Sequence, residues 1–262
     1  MKIILFLVVL GFGLFAGCSD DSTNPADSGN GRMKIYMVDS PSSFDSVVVC
    51  VSRVEVHSAT GDSSSGWFTI NDSLRYFDLL LLTNGASVVL GDTSLPAGHY
   101  TQIRLILGTG SYIVVSGVRY DLTVPSGLET GIKLTHQFTI ESGKVYELML
   151  DFDVESSIVI TGNGDYQLKP TIRIIPVELS GSISGQIMPL DSEPVIMTMK
   201  GSDTISTYTD LLGFFKLMAL TEGSYEVSII PANTIYRDTT ITNVQVVALQ
   251  DTDIGVIVLG TN

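Results

Sequence analysis

From Met33 onward, apolar and polar residues alternate with a period of two far more often than with a helical period. Gly, Asn, Asp, Ser and Pro break the alternation at roughly eight- to twelve-residue intervals, as in sandwiches. The pattern predicts an all-β protein. In 46–57 it places Val48, Cys50, Val54 and Val56 on one face, with Cys50 a core thiol, and Arg53, Glu55 and His57 on the other. Residues 112–115 and 118–122 flank Ser116-Gly117, and 157–161 and 166–175 flank Gly162-Asn163-Gly164-Asp165, so both read as hairpins. The apolar run Asp78-Leu79-Leu80-Leu81-Leu82 fits a buried strand or one helical turn.

A boundary falls near 177–182, after Pro176, where Gly181 and Gly185 introduce a new strand series. Short strands are expected at 182–188, 195–199, 204–209, 213–217, 224–230, in parts of 235–246 and at 255–259, which suits a small sandwich. The expected layout is a signal peptide over 1–17, a lipidated cysteine and flexible tether over 18–32, and two β-sandwich (Ig-like or transthyretin-like) modules over 33–178 and 179–262.

Lys2, the apolar run 3–10 and the small residues up to Cys18 follow the order of a secretory signal. The stretch before Cys18 is shorter than the roughly 20 residues a spanning helix needs, and its glycines weaken a helix. Leu14-Phe15-Ala16-Gly17-Cys18 resembles a bacterial lipobox, with Phe15 where Leu is usual. The resemblance implies acylation of Cys18 and a membrane partner held through N-terminal acyl chains. A single chain binds only marginally, at about 0.8 kcal/mol per buried methylene, whereas two or three hold firmly. Residues 19–33 carry almost no apolar content and read as a tether reaching roughly 20 Å. Asp20-Asp21 resembles the acidic export tag of surface lipoproteins, so the expected location is the bacterial cell envelope, at the outer membrane or cell surface.

Composition narrows the partners. Apolar residues make up 44% and charged residues 16%, a globular balance with a thin charged surface. The net charge of -14 repels phosphate backbones, so nucleic acid is not an expected partner. With Cys18 and Cys50 alone, the fold must stand on its core without a disulfide framework.

Two resemblances follow from motifs. Asp39-Ser40-Pro41, Asp78-Leu79-Leu80, Leu95-Pro96-Ala97-Gly98-His99-Tyr100, Pro125-Ser126-Gly127, Leu150-Asp151-Phe152-Asp153 and Leu168-Lys169-Pro170 make residues 32–178 similar to domain-of-unknown-function family 4382, a domain of bacterial lipoproteins. That family supplies no catalytic residues. Gly185, Thr209-Asp210-Leu211-Leu212-Gly213-Phe214-Phe215 and Leu220-Thr221-Glu222-Gly223-Ser224-Tyr225 make residues 182–262 resemble a carboxypeptidase regulatory-like, transthyretin-like module. Such modules are non-catalytic spacers or interaction units. Asp210 and Gly213 suit a tight turn, and Phe215 and Tyr225 can fill a thin core. The strand 182–188 lacks the lysine that some pilin relatives use in isopeptide crosslinks.

Candidate chemistry is sparse. His57, His99 and His136 are scattered without zinc-site spacing, and His136 shares its face with Ile132, Leu134, Phe138 and Ile140, as a core histidine would. Nucleophile elbows, phosphate loops and dinucleotide fingerprints do not occur in the sequence, so no catalytic residue, metal site or cofactor is assigned. One cluster stands out: Asp151, Asp153 and Glu155, expected to point outward while Phe152 and Val154 point inward, with successive carboxylates roughly 7 Å apart by strand rise. Three readings stay open: ion pairing with Arg104, Lys169 or Arg173, cation binding outside the EF-hand template, and acid-base catalysis of the inverting glycosidase kind. With Trp67 as the one tryptophan, there is no clear aromatic platform for sugar. The expected function is a non-enzymatic, membrane-anchored binding or structural module with a glycan or protein partner. The alternatives are a carbohydrate- or calcium-binding protein, or a glycan hydrolase using these carboxylates.

Overall fold

The computed structural model describes residues 29–62, 65–125, 130–201 and 203–262. Cys18, the signal peptide and most of the expected tether lie outside the described residues, as does part of the Pro125-Ser126-Gly127 motif. The regular secondary structure of the described residues is almost entirely strand, as the alternation predicts.

In the first half, a four-stranded sheet runs in the order Ile172–Pro176, Val145–Phe152, Asn30–Asp39, Val88–Pro96. The first strand lies parallel to Val145–Phe152 and antiparallel to Val88–Pro96. A larger sheet is organised around the long strand Ser46–Ser58, which pairs with Gly98–Leu107, Trp67–Asn71, Arg75–Asp78 and Tyr112–Val115. The facing sides of the two sheets enclose one core, including Met33, Ile35, Val54, Ile103, Leu105 and Phe152. Aromatic rings extend it: Tyr100 and Phe138 stack at 5.4 Å, and Phe138 and Tyr146 at 5.0 Å.

In the second half, Phe214–Thr221, Ser180–Met188 and Asp251–Val258 form one sheet, and Asp203–Tyr208, Val195–Lys200, Gly223–Ile230 and Thr239–Val246 form another. These strands overlap the short strands read from the sequence. Their core holds Ile183, Ile196, Phe215, Tyr225 and Val227 among others. The Thr209 to Phe215 turn works as its residue types suggest. Asp210 Oδ1 accepts from the backbone N–H groups of Leu212 and Phe214 at 2.9 and 2.8 Å, and Gly213 sits at φ +83°, where a side chain is strained.

Three expectations change, and one open alternative is resolved. The strand Asn30–Asp39 begins inside the expected tether: Gly31 packs so close to the Glu141 carbonyl that a Cβ would collide with it, so this glycine is a packing residue rather than a tether residue. In Ser46–Ser58 a register shift between Val51 and Arg53 flips the alternation. Val47, Val49 and Val51 therefore share the core with Val54 and Val56, and Cys50 is buried on the opposite face, where a Cβ on Gly108 would come within 2.6 Å of its sulfur. Glu55 and His57, expected on an open polar face, are also buried. Trp67 meets His57 edge-on at 4.9 Å, and Arg104 lies 4.0 Å over Trp67 while bonding Glu55. The ambiguous leucine run is a helical turn, Leu79–Leu82, capped by Asp78.

A third, smaller apolar group joins the two halves. Val38, Met149 and Ile175 on the outer side of the four-stranded sheet pack with Ala219, and Met218, Tyr36 and Val177 border them. The candidate carboxylates lie beside this junction.

Candidate functional site

The strand Val145–Phe152 ends sooner than alternation through Glu155 requires. Asp153 leaves the strand and becomes the N-cap of the helical turn Val154–Ser157, accepting from Ser156 N at 2.9 Å. Glu155 sits in that turn, and its carboxylate accepts from Ser43 N at 3.2 Å. Asp151 remains in the strand, opposite Arg173 in Ile172–Pro176. Asp151, Asp153 and Glu155 thus do not share one outward face. Each has its own internal partner.

Asp151 is the correction with the largest consequence. It is 5% exposed, and Arg173 bonds it directly. Of the three cations the sequence nominates, Arg173 is the partner, Arg104 serves Glu55, and Lys169 is exposed. Burial raises the Asp151 pKa, and the Arg173 charge and hydrogen bond oppose that shift without cancelling it.

Asp39 is the site residue that sequence reasoning missed. It ends the strand Asn30–Asp39 on the core side, in register with Phe152. Oδ1 accepts from Val154 N at 3.2 Å, whereas the buried Oδ2 has no hydrogen-bond partner. Burial pushes its pKa up to about 9, against the pull of the Val154 hydrogen bond and with further push from Asp151 and Asp153. The available signal was an aspartate at the last inward position of an otherwise apolar strand face.

Asp151, Asp153 and Arg173 line a cleft of about 300 Å³ with Asp203 and Thr204 of the second half. A void of about 20 Å³, room for about one water molecule, touches Asp39, Asp151, Thr207 and Lys216. Among the described residues, no three His, Cys, Asp or Glu side chains are gathered to hold a metal ion. His136 stacks on Phe138 at 5.9 Å, with Nε2 3.3 Å from the Tyr146 hydroxyl, and burial lowers its pKa. Among the described residues, no helix is long and apolar enough to cross a membrane.

Comparison with known proteins adds a family and little else. No curated protein matches the chain. A minor pilin of Streptococcus agalactiae, GBS52, is 11% identical over 88% of this chain and 96% of its own, with a TM-score of 0.26. A putative adhesin from Bacteroides ovatus is 12% identical over 95% of this chain and all of its own, with a TM-score of 0.21. A type II cohesin-X-dockerin complex from Acetivibrio cellulolyticus is 23% identical over 31% of this chain, which spans 58% of that one, with a TM-score of 0.26. These are weak likenesses, and the fold rests on the strand order above. The model of the family described as domain of unknown function (DUF4382) matches residues 30–170, and the chain belongs to that family.

Proposed function

We propose that this family member is a non-enzymatic lipoprotein of the bacterial cell envelope, held at the outer membrane or cell surface through acylated Cys18, whose β modules act as a binding or structural unit. Its second module is read as a carboxypeptidase regulatory-like spacer. The observation that carries the non-enzymatic reading is the use made of the carboxylates: Asp151 is bonded to Arg173, Asp153 caps a helical turn, and Glu155 and Asp39 accept backbone N–H groups. Acid-base work on a substrate needs at least one such group free to exchange its proton with that substrate. These four brace the end of a sheet instead.

The anchor is tested by growth with labelled palmitate. The wild type takes up label and Cys18→Ser does not; an exported but unlabelled wild type overturns the reading. The cleft that Asp151 and Asp153 line with Asp203 and Thr204 favours a second reading, a cation or carbohydrate site there, with glycan hydrolysis as its catalytic form. If the carboxylates are braces, saturating calcium leaves the melting temperature unchanged. A calcium-dependent rise that vanishes in Asp153→Asn would replace the first reading with the second.

A further inference from the structure

The loop after Leu79–Leu82 carries Asn84-Gly85 in a tight turn closed by Ala86 N donating to Thr83 O at 3.0 Å. Both central residues have positive φ, +53° and +84°, the conformation that favours this residue pair in a reversing turn. The turn projects Asn84 across the junction to the strand Phe214–Thr221, which lies at the edge of its sheet. There the side-chain amide takes the place of a neighbouring strand. Its Nδ2 donates to Phe214 O at 3.2 Å, and its Oδ1 accepts from Lys216 N at 2.7 Å. The Lys216 side chain lies over Gly85, 3.2 Å from where a Cβ would stand.

An asparagine followed by glycine is chemically labile, because no Cβ shields the following backbone nitrogen. Gly85 N loses its proton and attacks Asn84 Cγ. A new C–N bond closes a five-membered imide, the Cγ–Nδ2 bond breaks, and ammonia leaves. Water then adds to one of the two imide carbonyls, leaving an aspartyl or an isoaspartyl residue at position 84. The reaction consumes one water, releases one ammonia and needs no oxidant.

We propose that Asn84 is a spontaneous deamidation site gated by the junction, protected while its side chain bridges Phe214 and Lys216 and converted irreversibly when the two halves part. The gate is geometric. Cγ cannot swing toward Gly85 N while Oδ1 and Nδ2 are both held by the strand, so reaction requires those bonds to open first. The product does not restore the bridge. A carboxylate still accepts from Lys216 N, but it has no donor for Phe214 O, and an anion there faces the carbonyl oxygen. The isoaspartyl form also lengthens the main chain inside a turn that depends on its two positive φ values. Each opening that ends in deamidation therefore leaves a looser junction.

The sequence holds two further Asn-Gly pairs that calibrate the test. Asn163-Gly164 lies in an exposed surface turn, where Gly164 N donates to Thr161 O at 2.9 Å, and serves as a clock that does not depend on the junction. Asn30-Gly31 lies in a strand, hemmed in by Glu141 and Lys144. The full chain is incubated in mildly alkaline buffer, and peptides containing each pair are followed by mass spectrometry for the change from amide to acid. Asn84 is expected to convert at least about tenfold more slowly than Asn163, equivalent to about 1.4 kcal/mol of protection. Met218→Ala, which removes a side chain bordering the junction, should speed Asn84 several-fold and leave Asn163 unchanged. Urea below the unfolding transition should do the same to the wild type, which covers the case of a variant that folds poorly. Asn84→Asp should be cut faster than the wild type at 177–182 by a protease. Equal rates at Asn84 and Asn163, no acceleration under either loosening condition, or wild-type protease resistance in Asn84→Asp would each overturn the proposal.

Discussion

Asp39 ends its strand with one carboxyl oxygen bonded to Val154 N and the other buried without a partner, and its pKa rises from 3.8 to about 9. An unfolded chain releases that proton near 3.8, whereas the folded protein keeps it to about 9. The contribution to stability is therefore complete below the lower value and is lost as pH rises through the upper one. Asp39→Asn stays neutral throughout, so melting temperatures recorded from mildly acidic to alkaline pH should fall less steeply in the variant than in the wild type. Parallel curves would show that Asp39 is ionised in the folded protein. Asp151 gives a second expectation. On an open sheet face, removing its partner would cost about 1 kcal/mol or less. Because Asp151 is buried, Arg173→Met should cost more, about 3 kcal/mol, by stranding a carboxylate away from water. A loss near that of a surface pair, measured by urea unfolding, would mean that water reaches the site.

At the scale of elements, a single aspartate decides where a strand stops. Local pattern alone carries Leu150-Asp151-Phe152-Asp153-Val154 on as a strand, yet Asp153 bonds Ser156 N and turns the chain into Val154–Ser157. A capping role and a charge role separate cleanly by substitution. Asp153→Ala should lose about 1 kcal/mol, while Asp153→Asn, an equally good cap without the charge, should keep nearly all of it. If both variants lose the same amount in denaturant midpoint, the charge rather than the cap is what matters. The strand Ser46–Ser58 makes a related point. Its pattern is periodic, but one extra residue between Val51 and Arg53 exchanges inside and outside, so the residues before the shift were legible as strand and not as to face.

The whole molecule is two β assemblies with separate cores, joined by Val38, Met149, Ile175, Met218 and Ala219 and by the Asn84 bridge. The division at 177–182 remains an expectation, and limited proteolysis tests it. The helical turn Val177–Leu179 leads directly into Ser180–Met188, and Val177 packs at the junction. Cutting there should be slow in the wild type and faster in Met218→Asp, which places a charge in the apolar contact. Cleavage that instead begins within either core would show that the two halves do not open as units.

The sequence by itself determined the strand-rich character, the short strands of the second half and the Thr209 to Phe215 turn. Each depends on neighbours a few residues apart, through alternation or through a side chain bonding its own backbone. The tertiary structure alone decided that Gly31 is pressed against Glu141, that Asp39 meets Val154, that Arg173 rather than Arg104 holds Asp151, and that Asn84 completes the edge of a distant strand. Those contacts join residues far apart in the chain. Their partners follow from sheet order and register, and a period-two pattern specifies neither: it marks which residues can face a core without saying what will lie across from them.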